Sequence, residues 1–280
     1  MMKAALVGNG IGASLTPGMH EAEGRAQGLS YSYDSFDTAT TPWSTRSLAE
    51  ILDHAQALGY AGLNITHPHK MAVVAHLDEL SGAAQALGTV NTVVFRDGRR
   101  IGYTTDYSGF GAALRAHALP TQGARVVQYG AGGAGSATAL ALIDAGARVK
   151  LVDSAPDRAK ALAAQIAKAR PKAMINTGPF DPARVDGAVN ATPLGMDAYP
   201  GMAFDPATLD AQAWVADIVY FPMDTALTKA AGARGLRVMQ GGAMALYQAV
   251  DAFKLITGVN PDAARMGASF DRLRAAPQPD

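Results

Sequence analysis

Cysteine is entirely absent from the 280-residue chain. This absence excludes disulfide bonds, thiolate metal ligands and cysteine nucleophiles, and it favours a reducing compartment, so we expect a cytoplasmic protein. An excess of one charge is also missing, because 24 Lys and Arg residues balance 24 Asp and Glu residues. Without a field of one sign, we expect no nucleic-acid partner and no membrane partner, and a small molecule becomes the favoured ligand.

Long uninterrupted apolar runs are missing as well. The N-terminal segment has a short apolar run that Gly8, Asn9 and Gly10 break, which is too little for a secretory signal. The uncharged stretch from Val126 to Ile143 contains glycines and polar residues, so a strand, a turn and a helix explain it better than a membrane span. With 49% hydrophobic residues, the chain can still bury a full core.

Short β-branched runs alternate with Ala-rich helical stretches along almost the whole chain, which is typical of an α/β protein. The predicted strands are AALVGNG, YSYDSFD, GLNIT, the two arms of TVNTVVFRDGRRIGYTTD, RVVQY, VKLVDS, GAVNATPLGM, WVADIVY and GLRVMQGG. The predicted helices are PGMHEAEGRAQGL, STRSLAEILDHAQALGY, a helix from about Tyr107 to His117, SATALALIDAG and AMALYQAVDAFKLITG. Asp97 and Gly98 predict a tight hairpin turn between the two arms.

A glycine-rich turn stands between the predicted strand RVVQY and the helix that follows it. Gly130, Gly132 and Gly135 form G-x-G-x-x-G there, which lets the backbone approach a pyrophosphate beside the positive end of a helix. By itself this pattern also fits an ordinary tight turn. Asp153 ends the next strand, where its carboxylate would accept hydrogen bonds from an adenosine ribose, and the two features together predict a dinucleotide site.

Asp153 also bears on the choice of cofactor. Its carboxylate would repel a 2'-phosphate, so NAD is favoured and NADP is the alternative. Arg158 lies close enough in sequence to reach a phosphate, although it also fits a solvated first-turn helix residue. The predicted cofactor-binding residues in this region are Gly130, Ala131, Gly132, Gly133, Ala134, Gly135, Asp153 and Arg158.

We therefore predict two α/β domains. Residues 1–106 and 241–280 are expected to form a substrate domain with a mixed, mainly parallel sheet, to which the C-terminal helix returns. Residues 107–240 are expected to form a Rossmann dinucleotide-binding domain.

Polar clusters lie where the strands of the first domain are predicted to end. They comprise Ser14 and Thr16, then Asn64, Thr66 and Lys70, then Asn91, then Thr105 and Asp106. Hydroxyls and amides at this density suit a ligand that carries many hydroxyl groups, although each residue alone also fits a cap or a turn.

Several segments in this order resemble the shikimate dehydrogenase family. They are G-x-x-I-x-x-S-L-T-P, G-L-N-I-T-H-P-H-K, V-N-T, Y-T-T-D-Y-S-G-F, G-A-G-G-A-G, N-A-T-P-L-G-M and Y-Q-A-V-D-A-F. The resemblance extends from about Val7 to Phe253. Within the family the chain is most similar to the NAD-dependent quinate/shikimate dehydrogenases, because it has Thr16 where shikimate-specific members usually have Ser, and Asp153 in place of their Asn-Arg-Thr cluster.

The resemblance implies a role for each matching position. Lys70 and Asp106 would be the catalytic pair. The implied substrate contacts are Ser14, Thr16 and Tyr220 to the carboxylate and Asn64, Thr66, Asn91 and Gln248 to the ring hydroxyls. Thr105 is a further predicted substrate-binding residue. Thr192 and Gly241 join the cofactor-binding residues. The implied reaction is reversible hydride transfer between quinate or shikimate and NAD, by a monomer or homodimer.

The chemistry of such a reaction agrees with this allocation. Oxidation of a secondary alcohol requires a base within hydrogen-bond reach of the hydroxyl, and a lysine serves if its pKa is depressed. His67 and His69 beside Lys70 offer an alternative base. Their H-x-H spacing also suits a metal, but no third ligand follows nearby, and we expect no metal site.

Two positions depart from the family pattern, and rival functions remain. Thr104 stands where members usually have Asn, and Ala13 stands where many have His. The nearest rival is an NADP-dependent biosynthetic shikimate dehydrogenase or a paralogue that acts on an aminoshikimate. A rival of another class is a metabolite sensor without catalysis, against which the presence of both Lys70 and Asp106 argues.

Overall fold

The computed structural model describes residues 1–275, and strands alternate with helices through them. The strands are β1 Met2–Gly8, β2 Tyr31–Asp37, β3 Tyr60–Ile65, β4 Glu79–Leu80, β5 Thr92–Arg96, β6 Arg99–Tyr103, β7 Arg125–Tyr129, β8 Arg148–Val152, β9 Ile175–Thr177, β10 Gly187–Asn190, β11 Trp214–Asp217 and β12 Arg237–Met239. The helices are α1 Thr16–Ala26, α2 Leu48–Ala57, α3 Gly82–Leu87, α4 Thr105–Ala116, α5 Gly133–Asp144, α6 Pro156–Ala169, α7 Ala226–Ala233, α8 Gly241–Thr257 and α9 Ala263–Ala275.

The first sheet has the strand order β2-β1-β3-β5-β6-β4. Its pairs β1–β2, β1–β3 and β4–β6 are parallel, whereas β3–β5 and β5–β6 are antiparallel. The hairpin between β5 and β6 turns through Asp97 at φ 50° and Gly98 at φ 75°, the left-handed conformation that a two-residue type I′ turn requires. The predicted mixed, mainly parallel sheet and its hairpin are confirmed.

The second sheet is parallel throughout, in the order β12-β11-β10-β7-β8-β9. Counted from β7 and read from its other edge, this order is 3-2-1-4-5-6, the arrangement of a Rossmann fold. In such a sheet the crevice for a dinucleotide lies at the carboxyl ends of the strands, where the strand order reverses between β7 and β10. The predicted α/β fold class with two sheets is confirmed.

The chain divides into two compact units, each described by itself below. The first contains Met1–Thr105 and the chain from Leu246 onward, and the second contains Asp106–Ala245. The divisions lie one and five residues away from the boundaries that we expected. The second falls inside helix α8, whose 17 residues continue without a break, so no loop marks it.

Each unit has its own apolar core, built by the inward faces of its strands. In the first, Leu63 and Ile65 of β3 pack with Ile51 and Leu52 of α2, whose start is fixed by a Ser47 capping box. In the second, the fully buried Leu140 and Leu142 belong to the apolar α5.

The C-terminal chain contributes to the first unit, as expected. The ring of Phe253 in α8 lies 5.6 Å from that of His20 in α1. Beyond α8, Arg265 forms a 2.7 Å ion pair with the fully buried Glu23 carboxylate of α1. Within the described residues, no helix combines the length and apolar character needed to cross a bilayer.

Candidate active site

One edge of the first sheet collects the polar segments singled out in the sequence. The parallel strands β1 and β3 both end there, and Asn64 of β3 pairs with Thr92 at the start of the antiparallel β5. Thr92 in turn pairs with Tyr103, the last residue of β6. Because of this register, the segments that follow β1, β3 and β6 and the one that precedes β5 leave the sheet at the same edge.

A buried hydrogen-bond network fixes the side chain of Asn64. Its Oδ1 accepts the Tyr33 hydroxyl at 2.7 Å, and its Nδ2 donates to Thr92 Oγ1 at 3.0 Å. These contacts define which atom of the amide is the oxygen, because Tyr33 is a donor there. Tyr33 was not singled out in the sequence, where it is one of several aromatics in a strand. The contact of Tyr33 with Asn64 can be recognised only when the fold places β2 two strands away from β3.

Asn91 holds the start of helix α4. Its Oδ1 accepts the backbone N–H of Thr105 at 2.6 Å, and its Nδ2 donates to the Thr105 hydroxyl at 3.0 Å. The helix therefore begins at Thr105, two residues before the predicted start at Tyr107, because a side chain from outside the helix satisfies its first amide. Asp106 is the second residue of this capped turn.

Thr104, the departure from the family pattern, lies immediately before this helix. Only 4% of its surface is exposed, and its Oγ1 has no hydrogen-bond partner among the residues that the structure describes. A buried hydroxyl without a hydrogen-bond partner lowers the stability of the folded state. Thr104 is therefore less favourable at this position than an amide side chain whose hydrogen bonds are satisfied.

The loop that carries Lys70 is anchored through its backbone. The Lys70 carbonyl accepts the Val90 N–H at 2.9 Å, which brings the loop next to the Asn91 segment. His69 shares a 3.0 Å hydrogen bond between its Nε2 and the Thr38 hydroxyl. Burial and the neighbouring His67 lower the pKa of His69. A structural contact therefore engages the imidazole of His69.

Ser14 and Thr16 lie at the beginning of helix α1. The Ser14 hydroxyl accepts the backbone N–H of Thr16 at 3.4 Å, and Pro17 stands in the first turn. The free amides of a helix start carry partial positive charge, so this position suits an anionic group. Immediately after β3, Thr66 donates its backbone N–H to the Val7 carbonyl of β1 at 2.9 Å.

In the second unit, the glycine turn follows β7 and leads into α5. Gly130 has φ 101°, and a Cβ at this position would stand 2.3 Å from the Ala191 carbonyl oxygen. A Cβ at Gly135 would stand 2.4 Å from the Gly130 carbonyl oxygen. Contacts within the protein therefore demand both glycines. Gly132 differs, because a Cβ there would meet no atom within 4 Å.

The space beside Gly132 is open and lies at the start of a helix. Gly132 is the residue before α5, and Gly133 and Ala134 are the first two residues of the helix, so their amides belong to its positive end. A side chain at Gly132 would occupy this space, as the second glycine of the motif requires.

Gln128 stabilises this turn through hydrogen bonds, and it was not predicted as a site residue from the sequence. It is fully buried in β7 and donates from Nε2 to the carbonyls of Gly130, at 2.9 Å, and Gly135, at 2.7 Å. Its Oε1 accepts the Thr138 hydroxyl at 2.8 Å. An amide side chain in a central apolar strand, two residues before a glycine turn, is the signal that could have indicated it.

Asp153 lies at the end of β8 and turns toward the glycine turn. It accepts the Ala131 N–H and the Ala155 N–H, both at 2.8 Å, and its Oδ1 lies 3.1 Å from Arg158 Nη2. Burial alone would raise the pKa of Asp153, but these two amides and the Arg158 charge lower it on balance. The carboxylate is therefore ionised at neutral pH.

The remaining predicted residues have these positions. Thr192 follows β10, and its hydroxyl donates to Asn190 Oδ1 at 2.6 Å. A Cβ at Gly241 would stand 2.3 Å from the Val219 carbonyl oxygen, so close packing within the protein demands this glycine. Tyr220 follows β11 with 41% of its surface exposed, and Gln248 lies on α8 in the first unit.

The predicted site residues divide between the two units. The first group is Ser14, Thr16, Asn64, Thr66, Lys70, Asn91, Thr105 and Gln248. The second is Asp106, Gly130, Ala131, Gly132, Gly133, Ala134, Gly135, Asp153, Arg158, Thr192, Tyr220 and Gly241. Among the described residues, no group of three or more His, Asp or Glu side chains is arranged to hold a metal ion.

Comparison with known proteins gives a consistent result. Residues 6–93 match the family model described as "Shikimate dehydrogenase substrate binding domain". The chain is 48% identical to "Shikimate dehydrogenase (NADP(+))" of Pseudarthrobacter chlorophenolicus, over 97% of this chain and 94% of that protein. It is 47% identical to "Quinate/shikimate dehydrogenase (NAD(+))" of Corynebacterium efficiens, over 95% of this chain and 96% of that protein.

A solved structure extends the similarity to the whole fold. "Quinate dehydrogenase from Corynebacterium glutamicum in complex with NAD" has a TM-score of 0.93 and 44% identity, and the match covers 97% of this chain and 99% of that one.

The parallel sheet, the glycine turn and the acidic residue that follows β8 define a Rossmann dinucleotide-binding fold, and the relatives identify the protein as an oxidoreductase that uses NAD or NADP. The relatives narrow this class further. The chain belongs to the shikimate dehydrogenase family.

Proposed function

We propose that this enzyme is a NAD-dependent quinate/shikimate dehydrogenase. It oxidises a secondary hydroxyl of quinate to give 3-dehydroquinate, and of shikimate to give 3-dehydroshikimate, and both reactions are reversible. The first unit holds the substrate and the second holds the cofactor. The match of residues 6–93 to a substrate-binding domain and the glycine turn after β7 support this division.

The substrate carboxylate binds at the start of α1. Ser14 and Thr16 supply hydroxyl donors there, and the positive end of the helix favours the anion. Tyr220 adds a third donor. Burial, and then the negative charge of Asp106, raise the pKa of Tyr220, so its phenol keeps the proton that it donates.

The ring hydroxyls bind to the amides and hydroxyls at the edge of the first sheet. The residues that bind them are Asn64, Thr66, Asn91, Thr105 and Gln248. Asn64 supports this role because Tyr33 fixes its orientation, and its Oδ1 retains a second lone pair for a hydroxyl donor. A polar network that is already ordered binds a polyol without a further entropic cost of ordering side chains.

Proton transfer falls to Lys70, and Asp106 orients its ammonium group. The bound nicotinamide supplies the carbon that accepts the hydride. Lys70 accepts the proton that leaves the hydroxyl in the direction of oxidation and returns it in the direction of reduction. Asn91 holds Asp106 in register by capping the helix turn that carries it.

The carboxylate of Asp153 is the observation that carries the choice of NAD. It is ionised, it lies beside the glycine turn, and it would accept hydrogen bonds from a ribose 2'-hydroxyl while repelling a 2'-phosphate. Arg158 favours the second candidate, an NADP-dependent shikimate dehydrogenase, because its half-exposed guanidinium could turn from Asp153 toward a phosphate.

Steady-state kinetics with quinate and shikimate, each paired with NAD and with NADP, test the proposal. We expect turnover of both substrates and a kcat/KM for NAD at least about tenfold above that for NADP, which corresponds to about 1.4 kcal/mol. Preference for NADP without turnover of quinate would support the second candidate instead. Binding of either acid with no reduction of either cofactor would overturn both.

A further inference from the structure

Asp217 is a carboxylate with no exposed surface at the carboxyl end of β11. It pairs in register with Asn190, the last residue of the neighbouring strand β10. The mechanism above gives neither residue a task. A buried carboxylate costs free energy unless hydrogen bonds compensate it, so its retention here calls for a physical reason.

Neutral donors from three segments surround the Asp217 carboxylate. Oδ1 accepts Asn190 Nδ2 at 2.9 Å and the Val219 N–H at 3.0 Å, and Oδ2 accepts the Thr225 hydroxyl at 2.7 Å. Burial raises the pKa of Asp217, and these three hydrogen bonds oppose the increase. The two carboxylate oxygens therefore tie together two different loops, the one after β10 and the one after β11.

The first of these loops is shaped by Asn190. Its Oδ1 accepts both the backbone N–H of Thr192, at 3.0 Å, and the Thr192 hydroxyl, at 2.6 Å. Its Nδ2 donates to the Leu194 carbonyl at 2.9 Å as well as to Asp217. The orientation of Thr192 therefore depends on an amide whose own orientation Asp217 fixes.

The second loop is held at both ends. Val219, one residue before Tyr220, donates its N–H to Asp217. Thr225, which donates its hydroxyl to the same carboxylate, also accepts the Thr228 N–H at 3.1 Å as the N-cap of α7. Asp217 thus fixes the segment that carries Tyr220 on either side of that residue.

We propose that Asp217 is a positioning residue that sets the loop bearing Thr192 for the cofactor and the loop bearing Tyr220 for the substrate carboxylate. The proposal rests on the cofactor-binding role that the family resemblance implies for Thr192 and on the proposed function for Tyr220. Asp217 has no exposed surface, so it acts through the residues that it holds. A carboxylate is needed here because it offers two acceptor oxygens at one point in the core. A buried apolar side chain would leave hydrogen-bond donors on both loops unpaired.

The test compares Asp217→Leu with the conservative Asp217→Asn. Leucine removes every acceptor, whereas asparagine keeps Oδ1 for Asn190 and Val219 and can donate to the Thr225 oxygen. For Asp217→Leu we expect a rise in KM for NAD and a fall in kcat, each on the order of tenfold or more, since small displacements of contact groups have effects of this size. For Asp217→Asn we expect values within about threefold of the wild type.

Val215→Ala is the matched control. Val215 is fully buried in the same strand, belongs to the apolar core and has a side chain that cannot form hydrogen bonds, so we expect this change to lower stability alone. A purely structural role for Asp217 predicts that Asp217→Leu lowers the melting temperature, as Val215→Ala does, and leaves the KM for NAD unchanged. That outcome would overturn the proposal.

Two further measurements keep the test decisive. If Asp217→Leu does not fold, Thr225→Val removes the donor to Oδ2 together with the N-cap of α7, and leaves the Oδ1 contacts in place. We expect a smaller rise in KM for NAD; an unchanged KM would again overturn the proposal. NADH affinity, followed by its fluorescence without substrate, separates this proposal from the proposed function. A wild type that oxidises neither quinate nor shikimate refutes the function, whereas equal NADH affinity in wild type and Asp217→Leu refutes the positioning role.

Discussion

Asn91 caps the helix that begins at Thr105: its side-chain Oδ1 accepts the Thr105 backbone N–H at 2.6 Å. Both residues are buried, so this amide depends on Asn91 for its hydrogen bond. The cap is a link between the substrate pocket and Asp106, because the residue that we assign to a ring hydroxyl also fixes the turn that carries the acidic member of the catalytic pair.

Replacement of Asn91 tests this link. Asn91→Ala leaves the Thr105 N–H without an acceptor, and we expect the free energy of unfolding to fall by about 1–3 kcal/mol, the cost of a buried unsatisfied donor. Asn91→Asp keeps the acceptor and should recover most of that loss. Urea unfolding of the two variants and the wild type measures the difference. Equal stability of Asn91→Ala and Asn91→Asp would exclude the cap.

The glycine turn allows packing to be separated from cofactor binding. Gly135→Ala places a methyl group 2.4 Å from the Gly130 carbonyl oxygen, so we expect a large loss of stability. Gly132→Ala meets no protein atom within 4 Å, and its φ of −79° suits alanine, so the fold should be preserved while NAD binding is lost. Melting temperature and NADH fluorescence titration distinguish the two. Normal NADH affinity in Gly132→Ala would contradict this assignment of the pyrophosphate.

Asp153→Ala tests the assignment of the ribose. The change removes the carboxylate beside the turn, and we expect the KM for NAD to rise about tenfold or more while the KM for NADP changes less. Asp157→Ala is the matched control, because that carboxylate lies in the first turn of α6 with 95% of its side chain exposed. An equal change in the ratio of kcat/KM for NAD to kcat/KM for NADP in the two variants would contradict the assignment of Asp153 to the ribose.

His20 gives the first unit a predictable response to acid. Burial lowers the pKa of His20 from 6.5 to about 3. Below pH 6.5 the unfolded chain therefore binds a proton that the native state does not accept until about pH 3. Above pH 6.5 His20 has no effect on how the free energy of unfolding depends on pH. As the pH is lowered from 6.5, His20 decreases the free energy of unfolding by up to about 1.4 kcal/mol per pH unit.

Comparison of the wild type with His20→Gln isolates this effect from the carboxylates. Between pH 7 and pH 5, the wild type should lose about 1.5–2 kcal/mol more free energy of unfolding than the variant, because glutamine does not titrate. Chemical denaturation at the two pH values provides the measurement. Parallel losses in both proteins would show that His20 does not govern the acid response.

The order of strands and helices was largely predictable from the sequence, for a physical reason. Apolar strands buried on both faces leave continuous β-branched runs, as in RVVQY, and Asp97-Gly98 has the conformational preference that a tight hairpin requires. Strands β4 and β9 were not predicted, because two and three residues carry too little pattern. Helices α3, α7 and α9 were not predicted either.

The supporting residues of the site were less predictable. Gln128, Tyr33 and Asp217 act through contacts with residues that the fold brings near, and nothing in their local sequence states those contacts. The roles of Gly130 and Gly241 also became specific only with coordinates, since both glycines are demanded by carbonyl oxygens of other loops. Local sequence motifs indicate which residues contact a ligand. The residues that position those ligand-binding residues are recognised only from tertiary contacts.

Lys70→Met tests the assignment of proton transfer to Lys70, by measurement of NADH formation from quinate and shikimate together with calorimetric binding of quinate. Methionine keeps an unbranched side chain as far as Cε and removes the amine that accepts the proton. We expect kcat to fall by about a hundredfold or more while the affinity for quinate changes by less than about tenfold. Undiminished turnover in Lys70→Met would contradict the account, because proton transfer would then belong to another group.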